Sequence, residues 1–488
     1  MNRPTKLLIK IVAAVIALAA VLAIAAVLVV QTNWFRQYVK NQIITATESG
    51  TGGRVEIESF AFDWKHLRST FTHFVVHGNE PAAADPYLQA ERVQVDIRLF
   101  TSTHHLLDIT SLVIDKPQAN IMVFPDGHTN VPTPKTKTES KQTPLETVVD
   151  LAVGHFALND GRIVFASQQH DLNIQGSNLR MNLAFNALTQ GYEGSLVFEP
   201  VYVVSGRNTP VQFAVTLPMT LHKDKIAFRN ATITTPRSSI TINGSLENLR
   251  DPSIAAQVAG HVAMADLRAA ANLPWQTDPS GPVSTLDINA NAVVSKESIR
   301  VNELQLALGS SSIFASGALK DTSGRAELNF ESNLALGELG RLANIAARPE
   351  GKVTMKGTAS LNASNDYSVA GKIQAEHVSF LQGSQRIGGI NMVSAAAVDP
   401  HAISLNDFRV TAYGAEMRGN ASLHDFARYQ VRGTLRNLAL GAIAQAGGYQ
   451  RLGYDGVVSG PPWSATTSCS VVSAMWRAFL LIGVRCRT

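Results

Sequence analysis

The sequence predicts a mainly β protein: an N-terminal transmembrane helix followed by a long antiparallel sheet that short helices interrupt. Three observations point there. An unbroken apolar run extends from Ile11 to Val30, apolar residues alternate with polar ones repeatedly between Val93 and Leu435, and glycine-bearing turn dipeptides lie among those runs.

Residues 11–30 contain only Ile, Val, Ala and Leu. At ~1.5 Å of helical rise per residue they cover ~30 Å, the thickness of a bilayer's hydrocarbon core. Arg3, Lys6 and Lys10 precede the run, so residues 1–10 are expected on the cytoplasmic side and everything after Val30 is expected outside it. Ala23, Ile24 and Ala25 imitate a signal-peptide cleavage site, but the apolar run outlasts the about 7–15 residues of an h-region. The segment is therefore read as a retained anchor. Trp34, Phe35 and Tyr38 follow where an aromatic interface belt would lie.

Trp34 to Ser49 has helical character, and Gly50, Gly52 and Gly53 stop it. No Gly-Lys-Ser/Thr follows these glycines, so they mark a turn and not a phosphate loop. Residues 31–124 then form a first β region in which Val93, Val95, Ile97 and Leu99 share one side of a strand. The same alternation recurs in Leu179, Met181, Leu183 and Phe185; in Val211, Phe213, Val215 and Leu217; and in Leu286 and Ile288. Leu304, Leu306 and Leu308 repeat it, as do Val353 and Met355, and later Val431 and Leu435. Such strands belong to antiparallel sheets with one apolar face. Asp126-Gly127, Asp160-Gly161, Asn243-Gly244 and Asp455-Gly456 supply the positive φ of loop corners.

Residues 125–144 are rich in Pro, Thr and Lys with almost no apolar side chains, and are expected to be a disordered linker or exposed loop. Leu145 to Phe156 restarts order on helical spacing, and residues 145–460 read as one repetitive β region. Within it, Ile240 to Leu249 resembles Ile313 to Thr322, and Met417 to Phe426 is a looser copy. A further strand follows each copy, then a short Leu/Ala segment that reads as a helical cap. Residues 461–488 break the texture: they hold Cys469, Cys486 and no Asp or Glu, as an out-of-frame tail or a C-terminal amphipathic helix would.

Chemistry is sparse. There is no His-Glu-x-x-His, no Gly-x-Ser-x-Gly and no Cys-x-x-Cys, so no catalytic residue and no cofactor is assigned and the chain is read as non-enzymatic. His73 and His77, with His66 and Glu80, form the nearest metal candidate. Four residues apart on a strand they stand ~13 Å from each other, too far to share an ion. His104 and His105 read as loop residues, and Glu56 and Glu58 as a solvated strand face. A formal charge of +4 without an Arg/Lys stripe argues against nucleic acid, and two cysteines give no disulfide framework, compatible with a periplasm.

The order of TGGRVEIESFAFDW, YLQAERVQVDIRL, DITSLVIDKPQANIMVFPDGHTNVP and FALNDGRIVF after one apolar span resembles the N-terminal part of AsmA-like proteins, those of the translocation and assembly module kind. The resemblance runs from about Lys6 to Gly460. It implies anchorage in the bacterial inner membrane, a periplasmic body and a long curled sheet open along one side. It also implies work in lipid transport between membranes or in outer-membrane assembly. Proteins of that kind are usually far longer, and the C-terminal domain with which they meet an outer-membrane barrel protein is missing from this sequence. Membrane phospholipids and the inner membrane are the expected partners, and an outer-membrane barrel protein is a further one by way of that C-terminal region.

Strands apolar on one side need cover, and a meander that curls into a trough would hide those sides while leaving a slot for acyl chains. Each buried CH₂ contributes about 0.8 kcal/mol, so such a slot holds a lipid by its tail. The alternating residues named above are its candidate lining, with Gly317, Gly357, Ala359, Gly371 and Gly433 leaving room. The competing reading is a structural β-rich envelope scaffold whose strands close into sealed cores without a ligand.

Overall fold

The computed structural model describes residues 32–99, 107–133, 146–442 and 456–468, apart from short breaks at 147–148, 151, 207–208, 272, 274, 276–280, 282, 321–325, 362–366, 384 and 426. The apolar run at 11–30, His104, His105, both cysteines and Asp455 lie outside the described residues. No described helix is long and apolar enough to cross a membrane. The chain divides into two compact units, Met1–Thr235 with Glu247–Arg250, and Pro236–Leu246 with Asp251–Thr488.

The first unit opens with helix α1 (Asn33–Thr51). The Thr32 side chain caps it by accepting from the Phe35 N–H, and Gly52 ends it in the left-handed conformation at φ 78°. Val39, Ile43 and Ile44 of this helix pack on Val55, Ile57, Phe60, Phe71 and Val76. The strands are β1 (Arg54–Asp63), β2 (Arg68–His77), β3 (Leu88–Leu99), β4 (Leu107–Val123), β5 (His155–Ser167), β6 (Leu172–Asn186), β7 (Gly191–Ser205), β8 (Val211–Leu221) and β9 (Lys225–Thr234). Each pairs with the next in chain order.

One pair corrects the expectation of a purely antiparallel sheet: β4 and β5 run parallel. Parallel neighbours need a crossover of a dozen or more residues, and the stretch between Val123 and His155 supplies one. The start of that stretch, residues 125–133, forms an ordered loop. Beyond Ala119, where its pairing with β3 ends, β4 is met by the returning chain. The Met122 N–H donates to Asn130 Oδ1 (2.8 Å), the Asn130 side-chain amide donates to the Asn120 carbonyl (2.8 Å), and Asn130 is 0% exposed. Asp126-Gly127 makes the turn, with Gly127 at φ 86°. Residues 134–145 lie outside the described residues. Phe156 belongs to β5 and not to a helix, and Asp160-Gly161 forms a bulge inside that strand, with Asp160 at φ 54°.

The second unit holds β10 (Ser239–Glu247), β11 (Ser253–Ala263), helix α2 (Met264–Ala271), β12 (Thr285–Ser295), β13 (Ile299–Leu308), β14 (Ser311–Lys320), β15 (Ala326–Ala335) and helix α3 (Leu336–Leu342). It continues with β16 (Glu350–Leu361), β17 (Tyr367–Gln382), β18 (Gln385–Val398), β19 (Ala402–Ala412), β20 (Ala415–His424), β21 (Arg428–Ala439) and β22 (Val457–Ser468). From β11 onward every ladder is antiparallel and in chain order. Two expectations are corrected here. Asn243-Gly244 lies inside β10 and turns nothing, and residues 461–468 of the supposed atypical tail are part of β22.

The internal repeat is visible as structure. β10 and β11 precede α2, β14 and β15 precede α3, and β20 and β21 precede a helical turn at residues 440–442. Gly244 and Gly317 hold the same place in the first strand of their copies, where the third copy has Ala421 and a glycine two residues earlier, Gly419; at all three glycines the neighbouring strand comes too close for a side chain. A Cβ on Gly244, Gly317 or Gly419 would lie 2.5 Å, 2.2 Å or 1.9 Å from the carbonyl oxygen of Ala255, Glu327 or Arg432. The helices follow strands that run in the same direction, so they gather at one end of the ladder. There Met264, Val283 and Leu342 form a buried cluster with Leu286 and Leu308 packed on it.

Candidate functional site

Residues opposite each other in a β ladder share a face, so the registers fix which side chains are brought together. In the first unit one row runs Phe60, Phe71, Val93, Ile114, Leu158, Met181, Leu196, Leu217. Val95 heads the next row, through Leu112, Phe156 and Leu183. Ile97 pairs with Ile109 and Leu99 with Leu107 at the end of β3. Leu179, Phe198 and Val215 are in register, as are Val201 with Phe213 and Val203 with Val211.

This face is partly sealed. Val149 and Val153, from the segment before β5, form a buried cluster with Leu183, Tyr192 and Leu221, and Met181 and Phe185 pack against it. Lys223 holds Asp150 at 2.6 Å and Arg250 holds Glu146 at 3.3 Å, tying that segment down. Burial pushes the Tyr192 hydroxyl up from its ordinary pKa. Leu179 and Val211 are also buried, whereas Val93, Val95, Ile97, Met181, Phe185, Phe213 and Val215 are half-buried.

In the second unit all the candidate residues again share a face, and none is buried. Leu286 pairs with Leu308, Ile288 with Leu306, and Leu304 with Ala290. Val353 pairs with Leu334, and Met355 with Ser332, which in turn faces Ile313. The central row crosses eleven strands: Val258, Ala290, Leu304, Ala315, Phe330, Gly357, Gly371, Ala396, Leu405, Ala421 and Val431. Only Ala396 in this row is buried, at 7% exposure; the others keep part of their surface in water. A sealed sandwich would bury such a row from both sides.

Gly357 and Gly371 face each other in that row. The reason is close backbone approach more than spare room: a Cβ on Gly357 would lie 2.0 Å from the Ala370 carbonyl oxygen. An open depression of about 560 Å³ crosses β13–β16, taking in Phe314, Phe330 and the Glu331–Lys356 ion pair (3.1 Å).

The histidines are dispersed. His73 pairs with Glu58, His77 with Glu80 (3.0 Å) and His66 with Asp63 (2.6 Å), and among the described residues no group of three or more His, Cys, Asp or Glu could hold a metal ion. The His66 hydrogen bond holds the Asp63 carboxyl below the usual carboxylate range. On the polar side of β3–β5, Arg92, Asp115 and Asn159 stand in register, and the Asn159 amide, followed by Arg92, lowers the Asp115 carboxyl in the same way. Sequence reasoning missed this row and the Asn130 clasp. The Asp-Gly corner followed by a polar residue that can satisfy backbone groups was the available signal for the clasp.

No protein-family model matches the chain, and no curated protein and no solved structure matches it either.

Proposed function

We propose that this protein is a non-catalytic, inner-membrane-anchored periplasmic protein that takes part in lipid transport between membranes or in outer-membrane assembly, with acyl chains lying on the apolar face of the second unit. The observation that carries this reading is the apolar row from Val258 to Val431, half-buried along its length except at the buried Ala396. The part of such a row left in water is costly, at about 25 cal/mol per Å² of apolar surface, and an acyl chain is a ligand that removes the cost without needing polar contacts. The AsmA-like pattern of the N-terminal segments supports the same reading, as does the expected span at 11–30.

The test is lipid co-purification with the full chain, with a photo-crosslinking residue at Leu304. Phospholipid should co-purify and cross-link there; Leu306→Asp should abolish both, while Thr358→Asp on the polar face should change neither. Lipid-free protein, or an unchanged Leu306→Asp cross-link, would overturn the proposal.

A second reading, a structural envelope scaffold without a lipid ligand, is favoured by one observation in the first unit: the cluster of Val149, Val153, Leu183 and Tyr192, which closes part of that face without a ligand.

A further inference from the structure

We propose that the polar face of β19–β21 is a docking surface for an anionic phospholipid bilayer. This goes beyond the acyl-chain reading and does not depend on it, because it concerns the opposite side of the same strands. Arg409 stands directly opposite Arg418. On the other flank Arg418 faces Thr434, which lies between Arg432 and Arg436 on β21. All four arginines are exposed. With strands ~4.8 Å apart and same-face residues roughly 6.6 Å apart, their Cα atoms fall within about 13 Å of one another.

Like charges directly opposite each other weaken a ladder. Here Glu416 relieves part of the repulsion: its Oε1 accepts from Arg409 Nε (3.0 Å) and from Arg418 Nε (2.5 Å). The Arg418 hydrogen bond, with the charges of Arg418, Arg409 and Arg436, holds the Glu416 carboxyl below the usual range. Asp407, on the adjoining bulge of β19, is the other carboxylate near the patch, while Asp425 is taken by Arg428. Arg432 and Arg436 make no ion pair among the described residues. Four guanidiniums against two carboxylates leave a surplus of positive charge.

The occupant follows from what surrounds them. Around the four arginines this face carries Thr411, Asn420, Ser422, Gln430 and Thr434, with the exposed Val393 opposite Arg409 on β18 and the His424 imidazole at the far end of β20, so it offers neither a run of aromatic platforms nor a cluster of apolar anchors. Stacking on single-stranded nucleic acid needs aromatic platforms, and a stable protein interface needs apolar anchors. A planar array of phosphate-bearing headgroups needs neither, and the guanidinium fork matches phosphate oxygens.

The experiment places the full chain in vesicles of neutral phosphatidylcholine and adds free vesicles of either phosphatidylcholine alone or phosphatidylcholine with phosphatidylglycerol, reading their recruitment by co-sedimentation. The wild-type chain should recruit the anionic vesicles and not the neutral ones, and added salt should weaken recruitment. At about fivefold per basic residue near an anionic surface, Arg418→Gln with Arg432→Gln should lower recruitment by about 25-fold. Arg418→Lys with Arg432→Lys should preserve it, which separates lost charge from lost folding. The proposal is overturned by equal recruitment of neutral vesicles, by an undiminished glutamine variant, or by a lysine variant as weak as the glutamine one. Binding of duplex DNA that displaces the anionic vesicles would overturn it as well, assigning the patch to nucleic acid.

Discussion

The two units carry the same kind of apolar face and treat it differently. In the first, Val149 and Val153 cover Leu183, Tyr192 and Leu221, and these residues are all less than 10% exposed. In the second, the row from Val258 to Val431 keeps part of nearly every side chain in water, and buried clusters lie away from it, Met264, Val283 and Leu342 beside α2 and α3, and Ala415, Leu435 and Leu438 on β20 and β21. The difference teaches that alternation decides which side of a strand is apolar, whereas short segments between strands decide whether that side is covered.

Charge placed on each face breaks or sharpens this contrast. Leu183→Asp buries a carboxylate without a partner and should cost about 3–5 kcal/mol. Leu304→Asp, on the half-buried row, should cost less, about 1 kcal/mol, since its carboxylate can reach water. Urea titration followed by circular dichroism measures both, and equal losses would erase the distinction. Next in size, Gly419→Val should cost about 2–3 kcal/mol, because a side chain there meets the Arg432 carbonyl. Leu342→Ala should cost about 2–3 kcal/mol by hollowing the cluster under α3, while leaving lipid cross-linking at Leu304 in place.

A smaller effect comes from pH. The Asp115 carboxyl is lowered in the folded chain, so its contribution to stability is fully present above the ordinary carboxylate pKa of about 3.9 and is lost as pH falls through the folded value. Asp115→Asn should flatten that acid limb in urea midpoints measured from pH 6 down to pH 3. The smallest effect belongs to the exposed Glu331–Lys356 pair, where Lys356→Ala should stay within about 0.5 kcal/mol.

Much of the fold was legible because a two-faced strand must alternate. Leu286 and Ile288, or Val211, Phe213 and Val215, fall on shared faces as their spacing requires. The caps after β11 and β15 were legible from their Leu/Ala composition. The bulges were not: between Val301 and Leu304 the ladder absorbs an extra residue, and an Asp-Gly pair inside β5 looks the same in sequence as one at a corner. The parallel pairing of β4 with β5 was also hidden, because direction is set by the connection and not by the strand. Nor could spacing distinguish Leu183 from Leu304, since the cover over Leu183 comes from Val149 and Val153 on another segment.

The crossover between β4 and β5 has a consequence for assembly. Each neighbouring hairpin can zip as soon as its second strand exists, but β4 must wait for the whole of residues 124–154 before its partner is made. At about 5–20 residues per second of synthesis that delay is roughly two to six seconds. Throughout it the β5-facing edge of β4 offers open backbone groups, the template on which chains stick to each other. Nascent chains stalled at Gly154 should therefore be cut by protease within β4, and chains stalled beyond Asn186 should resist; equal sensitivity would mean that another segment shields the edge in the interval.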